Sequence, residues 1–177
     1  EAASKSQKGK KQVIIGDGGP GTGKSVISIN ALSTLTSDRL NARYVTANGA
    51  PRDVFKAKLS DQLKSDAFKQ LFSGSGSFHS SESNSYDVLI ADEAHRLTAK
   101  SGFYKNEGEN QIKEIIDVAK TSIFFIDEAQ KVTWADIGEV DSIRDFATEA
   151  GAEIQEFKLT TQFRCNGSDD YLGWLEQ

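Results

Sequence analysis

Residues 13–25 read VIIGDGGPGTGKS: a short apolar run, a glycine-rich turn, and then a stretch with helical character. Within it Gly18, Gly19, Pro20, Gly21, Thr22, Gly23, Lys24 and Ser25 match G-x-x-x-x-G-K-S/T at every fixed position. Glycines let a backbone close around phosphates where Cβ atoms would clash, and they point N–H groups inward. A helix starting near Lys24 adds the positive end of its dipole. The pattern therefore predicts a nucleoside-triphosphate cradle. Lys24 would reach the β- and γ-phosphates, and the Ser25 hydroxyl would ligate Mg²⁺.

A second signal follows the apolar run of YDVLIADEAH, residues 86–95. In a parallel sheet the C-terminal end of such a strand faces the ligand crevice. Asp92 is expected to hold the Mg²⁺ hydration shell, and Glu93 to orient and polarise the attacking water. Acids also favour the first turn of a helix, so the pair gains its meaning from the glycine-rich loop upstream. A kinase acting on a small molecule would not need a water-activating glutamate, which makes hydrolysis the better reading.

SIFFIDEAQK, residues 122–131, ends a second apolar run with Asp127, Glu128 and Gln130. Gln130 can hydrogen-bond a γ-phosphate or the attacking water, as a sensor would. Arg164, in KLTTQFRC, has the planar fork that suits a phosphate gathering charge. On spacing alone a surface ion pair explains it equally well.

Apolar runs alternate with helix-like patterns. Strands are expected at residues 12–15, 43–46, 86–91, 122–126 and 153–159, and helices at 25–35, 51–59, 61–71, 111–119 and 142–150. Strands alternating with helices imply an α/β fold with a mostly parallel sheet and helices on both faces. SGSGSFHSSESNS, residues 73–85, reads as a polar, flexible loop.

The chain has 177 residues, one ordinary domain, with 37% hydrophobic and 27% charged residues. Residues 1–11 read as a flexible basic leader and 12–177 as a single domain. No apolar run approaches the roughly 20 residues of a membrane span, so no membrane partner is expected. Cys165 is the only cysteine, in keeping with a cytoplasmic location. The sequence opens at Glu1 and contains no methionine, so a piece of a longer protein is expected. Net charge is −5; the leader carries +3 (Lys5, Lys8, Lys10 and Lys11 against Glu1), which leaves −8 for residues 12–177. That balance lacks the basic footprint of a strong nucleic-acid binder.

Taken in order, GGPGTGKS, DEAH, IDEAQ and LTTQFR resemble the first motor domain of a superfamily 1 helicase, from about Val13 to Arg164. DVLIADEAHRL followed by FFIDEAQ resembles, more narrowly, the Schlafen group 3-like DNA/RNA helicase domain family. The resemblance implies a RecA-like P-loop NTPase fold in which the sensor strand lies between the loop strand and the DEAH strand. It implies ATP on Gly18–Ser25, Mg²⁺ beside Asp92 and Glu93, and Gln130 and Arg164 directed at the γ-phosphate. Ile126 stands where the third motif usually has glycine. DEAH is also a superfamily 2 hallmark, but no S-A-T triplet follows it. His95 stays open between a role in the site and a solvated turn.

Relatives close ATP between two RecA-like domains, the second supplying an arginine finger worth roughly 10³–10⁵ in rate. A single domain is therefore expected to bind ATP far better than it hydrolyses it. Asn48 and Arg52, in VTANGAPR, lie where such helicases contact nucleic acid. Trp134, Phe103 and Tyr104 are candidates for stacking on bases, at about 1–3 kcal/mol per base. The function implied is an ATPase motor moving on single-stranded DNA or RNA. The alternative is an ATP-gated module that switches a partner or an attached nuclease.

Overall fold

The computed structural model describes residues 9–59, 65–101, 107–130 and 137–161. Its elements in chain order are β1 (Gln12–Gly18), α1 (Lys24–Ser37), β2 (Ala42–Thr46), α2 (Gly49–Leu59), α3 (Ser65–Leu71) and β3 (Phe72–Gly74), then β4 (Tyr86–Asp92), α4 (Gln111–Val118), β5 (Ala119–Ile126), α5 (Val140–Glu149) and β6 (Glu153–Leu159). All six strands pair parallel, in the order β3-β2-β4-β5-β1-β6. β5 lies between β4 and β1, as the resemblance implied. Parallel pairing brings every strand's C-terminal end to one edge of the sheet.

Alternation along each strand feeds two cores. Leu89 and Ala91 of β4, Phe124 and Ile126 of β5, and Val13 and Ile15 of β1 pack under α4 and α5. Val88 and Ile90, Phe125, and Tyr44 of β2 face the other way, against Leu32 of α1, Phe55 of α2 and Phe68 of α3. Central strands buried on both faces explain why β4 and β5 read as near-continuous apolar runs. α4 is built as an amphipathic helix should be. Ile112, Ile115 and Ile116 share its buried face, and the Asn110 side chain caps it by accepting from the Ile112 N–H at 2.9 Å.

Helix 111–119 gives way to strand at Ala119, three residues before the expected start of β5, and two further expectations change. β1 runs beyond Ile15 to Gly18, so the glycine-rich motif begins inside the strand and pairs there with Leu159 of β6. A Cβ at Gly18 would sit 2.7 Å from Leu159 Cβ, so glycine is required by close approach.

Residues 73–85 are also more ordered than a flexible loop. Ser73 and Gly74 belong to β3, residues 75–77 form a 3₁₀ turn, and Phe78 is buried edge-on against Tyr86, ring centroids 5.7 Å apart. The serine-rich composition conceals this because one aromatic side chain supplies the anchor. Phe78→Ala is expected to lower the unfolding free energy by about 3–5 kcal/mol in urea denaturation. A loss below about 1 kcal/mol would show that the segment is not anchored.

Candidate functional site

The ends of β1, β4 and β5 and the first turn of α1 enclose a cleft of about 300 Å³. It is lined by Pro20, Gly21, Gly23, Lys24, Ser25, Val26, Asp92, Glu93, His95 and Gln130. That volume is at the small end for ligand pockets; it suits a phosphate tail more than a whole nucleotide.

The loop owes its shape to Gly21 (φ 79°) and Gly23 (φ 85°), both in the left-handed region that other residues avoid. Thr22 is buried and its hydroxyl donates to the Gly19 carbonyl at 2.8 Å, closing the turn. Lys24 folds back over it. Its ammonium donates to the carbonyls of Gly18 and Gly19, the latter at 2.7 Å, and lies 3.5 Å from Asp127 Oδ2. Ser25 is exposed at the mouth of the cleft.

Asp92, 1% exposed, is held at both oxygens. Oδ2 accepts the Tyr44 hydroxyl at 2.7 Å, and Oδ1 accepts the Glu93 backbone N–H at 3.0 Å. Burial, and then the charge of Asp92, push the Tyr44 phenol far up, so it stays protonated and donates. Glu93 itself has φ 53° and ψ 45°. A left-handed glutamate costs roughly 1–2 kcal/mol, and it turns the side chain out of the strand to meet Arg96 at 3.7 Å.

The tightness of this turn has a visible support. Gly138 packs on it so closely that a Cβ there would collide with the Ala94 carbonyl, and the Ile137 N–H donates to the Leu97 carbonyl at 2.8 Å. Beyond β5, Asp127 is buried, and its Oδ2 also accepts the Gln130 side-chain amide at 2.8 Å.

The cleft thus brings together Lys24, Ser25, Asp92, Glu93 and Gln130, with Pro20, Gly21 and Gly23, while Gly18, Gly19 and Thr22 form the floor of the loop. Asn48 and Arg52 sit apart, towards the β2–β3 end of the same sheet edge. Asn48 Oδ1 accepts the Ala50 N–H at 3.1 Å at the start of α2, and the Arg52 guanidinium lies over Gly74. Trp134, Phe103, Tyr104 and Arg164 fall outside the described residues.

Sequence reasoning missed two contributors, Tyr44 and Gly138, and left a third, His95, open. Tyr44 is legible only once the β2–β4 register is known, and Gly138 only once the backbone approach is seen. His95 is not a solvated turn residue; it is 1% exposed, and among the described residues neither ring nitrogen has a hydrogen-bond partner. No periodicity surrounds it to signal burial.

These features define the class. The chain is a RecA-like P-loop NTPase domain of the helicase superfamily, with a parallel sheet flanked by helices on both faces. The chain belongs to the Schlafen group 3, DNA/RNA helicase domain family, whose model matches residues 11–177. It is similar to an uncharacterized protein of Saccharomyces cerevisiae, 26% identical over 93% of this chain and 40% of that protein. Among solved structures it is similar to a DNA replication initiation factor, at 16% identity and a TM-score of 0.41, covering 98% of this chain and 49% of that one. It also resembles the Sulfolobus solfataricus SWI2/SNF2 ATPase core in complex with double-stranded DNA, at 12% identity and a TM-score of 0.43, covering 89% of this chain and 42% of that one. The chain therefore spans less than half the length of each of these three proteins. No helix among the described residues is long and apolar enough to cross a membrane.

Burial lowers the pKa of His95 from 6.5; the charges of Glu93 and Asp127 oppose the shift, and those of Arg96 and Lys24 add to it. Below about pH 6.5 the unfolded chain takes up a proton that the folded chain resists. Stability is therefore full above that pH and falls as the pH drops towards the folded-state pKa. Thermal melts between pH 7 and 5 are expected to show this slope, and His95→Gln to flatten it. Equal slopes in the two proteins would overturn the assignment.

Proposed function

We propose that this chain is the ATP-binding, Mg²⁺-dependent ATP-hydrolysing core of a superfamily 1-like DNA/RNA helicase or translocase. The observation that carries the reading is one cleft lined by a lysine on a left-handed glycine loop, two successive acids at a strand end, and a glutamine on the neighbouring strand's turn. The fit to a triphosphate is chemical as well as spatial. The Lys24 ammonium rests on two backbone carbonyls and a distant carboxylate oxygen, and phosphate oxygens would offer it stronger, charge-assisted bonds.

The Ser25 hydroxyl and the Asp92 carboxylate are hard oxygen donors of the kind Mg²⁺ accepts. Among the described residues no group of three or more His, Cys, Asp or Glu could hold a metal by itself. This agrees with the habit of Mg²⁺ to share its shell between one or two protein groups, water and substrate phosphates. When bound, Mg²⁺ would neutralise charge on the phosphates. Glu93, turned out of the strand by its left-handed backbone, accepts a proton from the attacking water and aligns it. Gln130, tied to Asp127, supplies an amide that can follow the γ-phosphate. Arg164 is assigned to the same phosphate, and Asn48, Arg52 and Trp134 to a single strand of DNA or RNA.

Two variants separate binding from chemistry. Lys24→Ala removes charge-assisted bonds of about 1.5–3 kcal/mol each, so affinity for a fluorescent ATP analogue should fall roughly 100-fold. Glu93→Gln keeps the shape of the side chain, so it should retain that affinity while turnover drops roughly 10²–10⁴-fold. Equal loss of binding from both variants would contradict these roles.

Single-stranded DNA or RNA is expected to raise the hydrolysis rate of the natural full-length polypeptide. A rate indifferent to nucleic acid would favour an ATP-gated switch.

A further inference from the structure

We propose that Tyr44 is a positioning residue for Mg²⁺, acting through Asp92, so that the metal affinity of the site depends on one phenolic hydroxyl in the second strand. The inference rests on the ATPase reading above and deepens it.

Asp92 is a buried carboxylate, and among the described residues no lysine, arginine or histidine forms an ion pair with it. A charge withdrawn from water must be compensated by hydrogen bonds or by a cation. The described hydrogen bonds to the side chain come from Tyr44 Oη at 2.7 Å and from the Glu93 backbone N–H at 3.0 Å. Each carboxylate oxygen has two lone pairs, so both can accept these bonds and still face a metal's hydration shell. The backbone bond would survive any substitution at position 44. The hydroxyl bond would not.

Register explains why position 44 has this role. Thr46 pairs with Asp92 and Tyr44 with Ile90, so Tyr44 and Asp92 project on the same sheet face, one diagonal step apart. A side chain as long as tyrosine spans that diagonal and places its oxygen on the acid. The ring has little freedom to leave. Phe55 of α2 meets it edge-on at 5.7 Å and Phe72 of β3 lies tilted at 5.5 Å, ring centroid to ring centroid. Packing in this aromatic cluster needs only the ring; phenylalanine would fill the same volume. The hydroxyl is therefore the part of Tyr44 that serves the site. Outer-shell hydrogen bonds of this kind fix the orientation and charge distribution of a ligating group, and their removal typically costs about 10–100-fold in metal affinity.

The experiment compares Tyr44→Phe with the wild-type chain. Mn²⁺, as a reporter for Mg²⁺, is titrated calorimetrically into each protein saturated with a non-hydrolysable ATP analogue. Affinity for the same analogue is measured separately in EDTA. The expected result is a roughly 10–100-fold weaker metal affinity in Tyr44→Phe with unchanged metal-free nucleotide affinity. In turnover, the Mg²⁺ concentration for half-maximal rate should rise while the rate at saturating Mg²⁺ stays within about threefold of wild type. A purely structural role would instead lower metal affinity and metal-free nucleotide affinity together.

Superimposable metal titrations would overturn the inference, as would a loss confined to metal-free nucleotide binding. If the wild-type chain bound no nucleotide at all, the ATPase reading itself would fall, and the positioning role with it. Because the ring contacts with Phe55 and Phe72 remain, the variant is expected to fold. A wild-type-like unfolding profile in urea is the check on that point, and a shifted metal titration in a protein with that profile supports the inference.

Discussion

The Lys24 ammonium carries three protons, and the structure gives them three destinations: the carbonyls of Gly18 and Gly19 and, more loosely at 3.5 Å, the carboxylate of Asp127. The first two close the glycine-rich loop onto itself. The third joins that loop to the strand beside it. Asp127 in turn accepts the amide of Gln130 with the same oxygen. One side chain thus holds the end of β1 to the turn that follows β5. On the proposed reading, a phosphate entering the loop would compete with these contacts for Lys24, and so would disturb the loop and the turn after β5 together.

That arrangement is possible because the sheet is wholly parallel. In an antiparallel sheet the ends of β1, β4 and β5 would alternate between edges, and no single cleft could collect a lysine, an acid pair and a glutamine. Parallel strands also require both faces to be covered, and α1–α3 and α4–α5 supply that cover through two separate apolar cores. The edge that carries the cleft is where the regular rules are relaxed. Glu93 takes a left-handed backbone, Gly138 approaches the Ala94–His95 backbone at a distance no larger residue allows, and His95 is buried without a hydrogen-bond partner among the described residues. Strain and unmet polar groups tend to collect where a site needs a particular geometry.

The parts of this design legible in the sequence are those written in local chemistry. Apolar runs at residues 86–91 and 122–126 foretell β4 and β5 because strands buried on both faces have no polar side to display. The fixed spacing from Gly18 to Ser25 foretells the loop because glycines at positions 21 and 23 permit the left-handed backbone it adopts. What stays hidden depends on contacts between distant residues. Tyr44 looks like an ordinary β-strand aromatic until β2 is set beside β4. Phe78 lies in a serine-rich stretch whose composition argues for a loop, yet its ring is buried against Tyr86. The start of β5 is obscured for another reason. Ala119, Lys120 and Thr121 lack a strongly apolar run, and helix passes into strand at Ala119 without a loop between.

Charge sets a last condition on the proposed contact with nucleic acid. Residues 12–177 carry −8, so any attraction to nucleic acid would have to come from local cations. Two arginines near the β2–β3 end of the sheet are already engaged internally. The Arg43 guanidinium lies 4.9 Å from the Tyr86 ring centroid and donates to the Ser73 hydroxyl, and the Arg52 guanidinium lies over the backbone of Gly74. Cations occupied in this way contribute less to counterion release than free surface lysines do. The same region is built on the aromatic cluster of Tyr44, Phe55 and Phe72, and the Tyr44 hydroxyl rests on Asp92. The helix that carries Arg52 and the acid of the cleft are thus parts of one packed unit, joined through the Tyr44 ring and its hydroxyl.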